Sequence, residues 1–479
     1  MMVATSVNYQ LPGNPRYQPR ELQELMGYDR LYYWYARVEL AVLRALAEIG
    51  VINEAEIALL TPDVEKAIYA ITTSEVDDIE RSLTKHDVRA LVNLIKEKLP
   101  PALAKWMHIP LTSYDVVEPA RILMFAETYK LATRPLIMRL VTVLAAKTRE
   151  YANEIQIGRT HGQAALPITV GFWLATILSR VLDNWAKLDQ FHSELVGKVS
   201  GAVGAKNAQV GLLIEAKSEE ISFEDRVLKH LGLRSARIST QVLPPEPLGY
   251  FLFAHVGMAA SLAQFARDAR HLMRSEIGEI QEEFQSGQVG SSTMAHKRNP
   301  LNFENVDGTF SKIVAEFLKV QLTLISEHQR DLTGSCIMRD FPTIIVDLHL
   351  MLNTLLRPGK NGKSFLENIT VNKEALLRNF NASAHLVIAE PLYIALQMAG
   401  YEGDAHELVN HKLTPKAMKS AKSLIEVLEE KELSCDEALR SAWAKVPTVV
   451  KALLANPRGY IGDAADKANA IAACAEKLL

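Results

Sequence analysis

The chain has 479 residues, 48% apolar and 23% charged, the balance of a folded protein with a large core, and its length favours about three domains. A formal charge of −3, from 53 Lys and Arg against 56 Asp and Glu, supplies no long-range field for nucleic acid or an anionic membrane, so an anionic ligand must be held by local groups. Cys336, Cys435 and Cys474 are too few and too widely spaced for a disulfide framework or a CxxC metal site, and the N-terminal stretch lacks a signal peptide's apolar core; together these predict a reducing, cytoplasmic setting.

In chain order, the first polar-rich stretch is LTKHDV, Leu83 to Val88, where His86 stands between Lys85 and Asp87. It reads equally as a solvated helix face. LPPALAK follows as a break, and then WMHIPLTSYDVVE, Trp106 to Glu118, carries His108, Thr112 and Ser113. Thr112 and Ser113 suit a helix N-cap, with Asp115 in the first turn where the helix dipole favours it. Apolar residues at helical spacing, such as Leu136, Leu140 and Val143, predict long helices between Ala120 and Leu195. Beside them lies GRTHGQAALP, Gly158 to Pro167, in which His161 follows Thr160. Taken alone, that histidine fits a turn.

Pro247 to Ala266 lacks formal charge for about the length of a bilayer span. It includes Gly249, His255, Gly257, Ser261 and Gln264, which fits a helix buried within a bundle. Helical patterns run from Leu248 to Phe284 and from Asn305 to Leu356, the latter with Ile313, Phe317, Val320 and Leu324 in one stripe. Strand-like alternation is scarce. A mainly α architecture with a long central helical bundle is predicted, with boundaries near Ser113 and near the RPGKNGKS stretch. The expected domains are residues 1–112, 113–362 and 363–479.

Between those patterns lies GQVGSSTMAHKRNPLNFEN, Gly287 to Asn305, with more polar chemistry than a connector needs. The Ser291 hydroxyl can act as a base only where its alkoxide is stabilised, and Lys297, loop N–H groups and exclusion of water would provide that. Gly287 and Gly290 would let such a loop open and close. The GxxxxGK[ST] spacing of a phosphate loop is absent. Further on, SEHQRDLTGSCIMRD contains Arg330, Ser335 and Arg339, a set that suits a phosphate or, equally, a salt-bridged helix end.

The stretches acquire meaning together. GSSTMAHKRNP resembles the signature of the fumarase/aspartase superfamily, and its HKRNP ending is similar to the adenylosuccinate lyase family. RYQP, TKHDV, HIPLTSYDVV, GRTHGQ, SGAVG, STQV and the Arg330/Ser335/Arg339 set resemble segments of that family in its own order, over roughly residues 16 to 340. The resemblance implies a three-domain helical fold, a homotetramer with active sites shared between subunits, and no metal or organic cofactor. It implies β-elimination of fumarate from a succinylated purine nucleotide, with Ser291 as base, His161 as acid and Glu304 orienting the imidazole. Lys297, Asn299, Thr112, Ser113, Thr160 and Gln241 would surround the succinyl carboxylates, with His86 and His108 near the reacting centre. Arg16, Tyr17, Arg330, Ser335 and Arg339 would hold the phosphate. Nucleic acid and membrane are not among the implied partners.

Two positions depart from the family pattern: Ala295 replaces the usual proline of the signature, and VLPPEPLGY stands where many members have an Arg-Asp pair. The nearest alternative is 3-carboxymuconate cycloisomerase, which handles no phosphate. A non-catalytic structural paralogue is the alternative of another class, and retention of Ser291, His161, Glu304, Lys297 and Asn299 argues against it.

Overall fold

A computed structural model describes residues 18–218, 220–282, 294, 297–420 and 422–479. The protein is mainly α, as the apolar spacing predicts. In chain order the helices that matter for the site are α1 (Leu31–Glu48), α2 (Asp87–Lys98), α3 (Ser113–Thr128) and α4 (Arg134–Glu150). A two-stranded hairpin follows, β1 (Ile155–Thr160) antiparallel to β2 (Gln163–Thr169), and then α5 (Val170–Ser193), α6 (Glu246–Leu272), α7 (Leu301–Leu322), α8 (Thr333–Met338) and α9 (Pro342–Leu356).

The long helical stretches of the sequence are thus subdivided. The hairpin interrupts the region expected to be helical between Ala120 and Leu195, because Ile155 and Ile157 pair across to Thr169 and Pro167, with Gln156 and Ile157 buried. Its two-residue turn is His161-Gly162 with φ of 53° and 75°, the left-handed backbone that tight hairpins require. The helix expected to reach Phe284 ends at Leu272, and the one expected to run from Asn305 to Leu356 breaks after Leu322 and resumes at Thr333 and Pro342.

The chain divides into two compact units. One comprises the described residues of Met1–Arg139, Asp183–Ala263 and Asn305–Thr354. Its centre is α1, which buries Trp34, Val38, Leu40, Val42 and Leu46 and packs against α3. So continuous a burial is the pattern of a core helix rather than an amphipathic surface one. Polar groups inside are paired: His349, fully buried, lies 2.9 Å from Thr133 Oγ1 and 3.1 Å from Glu21 Oε1.

The second unit comprises Leu140–Leu182, Gln264–Glu304 and Leu355–Leu479. Its C-terminal helices enclose an aliphatic core that includes Leu392, Leu396, Val409, Leu413, Leu428 and Leu439. The helix α6 is long and apolar enough to cross a membrane, yet 72% of its most apolar window is buried inside the protein. This fits the core helix expected for the uncharged run.

Candidate functional site

The first unit gathers the stretches that flank α2 and α3. His86 is the N-cap of α2, its Nδ1 accepting from the Arg89 N–H at 3.4 Å, while its Nε2 is 3.2 Å from Ser113 Oγ. Thr112 is the N-cap of α3, and its N–H donates to Asp115 Oδ2 at 2.9 Å. The predicted cap is present, and Ser113 turns its hydroxyl to His86 instead of the helix end.

Asp115 does far more than sit in a first turn. It is fully buried, and its Oδ1 accepts from Lys198 Nζ at 2.6 Å and from the N–H groups of Ser200 and Gly201 at 3.0 and 3.1 Å. The SGAVG segment is thereby tied to the start of α3. The same segment approaches STQV: Ser200 Oγ is 2.8 Å from Ser239 Oγ, and at Gly204, with φ of 78°, a β-carbon would lie 2.0 Å from the Ser239 carbonyl oxygen. Only glycine fits there.

His108, also in left-handed backbone with φ of 68°, has its Nδ1 2.7 Å from the buried Glu39 carboxylate. Burial pulls its pKa down, but the hydrogen bond and charge of Glu39 outweigh this and hold it above the ordinary histidine value. Nothing in the local sequence marks Glu39 as its partner.

Gln241, Arg330 and Ser335 also converge in this unit. Arg330 Nη1 donates to Gln241 Oε1 at 2.8 Å, its guanidinium lies 3.5 Å over the Tyr114 ring, and the Tyr114 hydroxyl donates to Ser335 Oγ at 2.9 Å. Tyr114, adjacent to Ser113 on α3, was no sequence candidate. Arg339 is exposed just beyond α8. A cavity of about 540 Å³ opens beside the cluster, lined among others by Tyr114, Gly204, Thr240, Val242, Pro244 and Ser335. The departing VLPP segment is therefore one of its walls.

The second unit presents the remaining candidates separately. Thr160 and His161 are exposed at the hairpin tip, Lys297 and Glu304 are exposed, and Asn299 is partly covered just before α7. Among the described residues no hydrogen bond or ion pair joins His161 to Glu304, Lys297 or Asn299 within the chain. Ser291, Arg16, Tyr17 and Ala295 lie outside the described residues.

Sequence reasoning also missed Glu282, six residues after the α6 end region turns at Glu276 and only 6% exposed. Its Oε2 accepts from Asn302 Nδ2 at 3.1 Å, and Arg357 donates to the same Asn302 side chain. Burial pushes its carboxyl up to about 7, with the Glu304 charge adding to the rise and Asn302 opposing it. A carboxyl raised above its unfolded value of 4.5 stabilises the fold fully below that value, and the contribution fades as pH rises through about 7. Glu282→Gln, a neutral isostere, is expected to remove that fade. Melting temperatures of wild type and variant across this range check it, and parallel curves would contradict the assignment.

Against known proteins, a model of the lyase family matches residues 20–315. The chain is 32% identical to the adenylosuccinate lyase of Archaeoglobus fulgidus, over 95% of this chain and 96% of that one. It is 31% identical to the adenylosuccinate lyase of Pyrococcus abyssi, over 88% and 90% respectively. Among solved structures, a fumarate lyase from Mesorhizobium sp. BNC1 superimposes with a TM-score of 0.78 at 21% identity, covering 96% of this chain and all of that one. A 3-carboxy-cis,cis-muconate lactonizing enzyme from Pseudomonas putida gives 0.77 at 21% identity, covering 96% and 98%.

Proposed function

This chain belongs to the lyase family that includes the adenylosuccinate lyases, and on that premise we propose that it cleaves adenylosuccinate to AMP and fumarate. The same chemistry would extend to the succinylated aminoimidazole-carboxamide ribotide of purine biosynthesis. The observation that carries the reading is the Gln241–Arg330–Ser335 cluster, a fixed set of hydrogen-bond donors suited to a phosphate that a muconate lacks.

In the proposed elimination, Ser291 removes the proton β to the departing nitrogen, and the charge that develops on the neighbouring carboxylate is stabilised by Lys297, Asn299, Thr112 and Ser113. The C–N bond breaks as His161 protonates the nitrogen, with Glu304 orienting the imidazole. His86 and His108 lie near the reacting centre. The carboxylate of Glu39 holds the His108 pKa above its ordinary value, a shift in the direction that suits contact with a dianionic substrate.

We place this chemistry in a cytoplasmic homotetramer whose active sites are shared between subunits. That no hydrogen bond or ion pair joins His161 to Glu304 among the described residues of one chain is in keeping with sharing. So does an apolar stripe left exposed on the first unit, formed by Tyr250 and Phe253 of α6 and Val314, Leu318 and Leu322 of α7. The spacing of the last three, i, i+4 and i+8, suits helix packing between copies. The three-domain division at residues 112 and 362 goes with this reading.

The test is ultraviolet absorbance of purified protein incubated with adenylosuccinate, with AMP and fumarate identified as products and the sample sized by light scattering. Turnover by a tetramer is expected. A folded tetramer without turnover would overturn the reading, and 3-carboxymuconate would then be the next substrate.

A further inference from the structure

We infer that Tyr114 is a positioning residue for the recognition of a phosphate monoester, an inference that rests on the proposed nucleotide substrate and names what organises its anionic end. Tyr114 is the second residue of α3, 8% exposed, and it touches two of the polar groups at once. Its ring carries the Arg330 guanidinium at 3.5 Å, and its hydroxyl donates to Ser335 Oγ at 2.9 Å.

The hydrogen-bond directions decide what the cluster can bind. Ser335 Oγ accepts from Tyr114, which leaves the serine's own O–H to donate elsewhere. Gln241 Oε1 accepts from Arg330, which leaves the amide NH₂ as its unspent group. Arg330 has donors only, and its buried Nε has no hydrogen-bond partner among the described residues. The two acceptors, Ser335 Oγ and Gln241 Oε1, are thus engaged from within the cluster, while Ser335, Gln241 and Arg330 each keep a donor.

Such a set, with one fixed positive charge, matches an oxyanion and offers nothing to a cation or a neutral acceptor-poor group. Tyr114 joins its two ends. Without the hydroxyl, Ser335 can rotate to donate back to a neighbour; without the ring, Arg330 loses the surface that fixes its plane.

The test uses the full-length protein. Tyr114→Phe keeps the ring and the packing but removes the hydroxyl, and it is expected to weaken binding of inorganic phosphate, titrated by calorimetry, about 3- to 10-fold. KM for adenylosuccinate should rise by the same factor with kcat unchanged, a split that a general loosening of the fold would not produce. Tyr114→Leu, which also removes the ring, should add about another 3-fold. In combination with Ser335→Ala, Tyr114→Phe should cost nothing further, because both act through one hydroxyl pair.

Unchanged phosphate affinity in Tyr114→Phe, additive losses in the double variant, or a wild-type protein that binds no phosphate would each overturn the inference. Phosphate titration needs no turnover. Absent adenylosuccinate cleavage with a Tyr114-dependent phosphate site would sink the proposed substrate and leave the positioning role standing.

Discussion

Lys198→Met is expected to destabilise the protein by about 3–5 kcal/mol, the cost of leaving a buried charge without its partner. Lys198 and Asp115 are both fully buried, 2.6 Å apart. Methionine fills the space of the lysine stem but leaves the carboxylate with only backbone donors, from Thr112, Ser200 and Gly201. Those donors belong to the cap of α3 and the SGAVG loop, so local order there should fall with global stability.

The check is a thermal or urea transition of the variant beside the wild type. Lys198→Met combined with Asp115→Leu should recover much of the loss, since the pair is then replaced by apolar groups rather than broken. A single variant that melts with the wild type would show that the carboxylate needs no counter-charge.

His161→Ala is expected to lower kcat about 10²- to 10⁴-fold, the contribution of a positioned acid in an elimination. Its side chain is exposed at the hairpin tip, so folding should survive. Alanine at a φ of 53° is mildly strained, and His161→Gly removes that strain while leaving the imidazole absent. Equal losses in the two variants would assign the effect to the imidazole. Activity within a few-fold of wild type in either would remove His161 from the acid role.

Part of the site was legible in short words. Thr112 before Ser113 and Asp115 is a cap signal that acts within one helical turn, and the structure has the cap there. GRTHGQ carries the one residue pair, His161-Gly162, whose conformation its turn demands, but flanking helical spacing hid the strands. Strand pairing depends on a partner across the hairpin, and a run of apolar residues does not reveal that partner.

By itself the sequence determined the mainly α class, the order of the polar segments and the residue types they carry, because helical periodicity and capping are local properties of the chain. Only the tertiary structure decided that Glu39 raises the pKa of His108, that Lys198 pairs with Asp115, and that Tyr114 holds Arg330 and Ser335 in one frame. In these pairs the partners are 69, 83, 216 and 221 residues apart, in the order Glu39–His108, Asp115–Lys198, Tyr114–Arg330 and Tyr114–Ser335. Burial and geometry bring such groups together through the packing of whole helices, and that is a relation no local pattern of residues encodes.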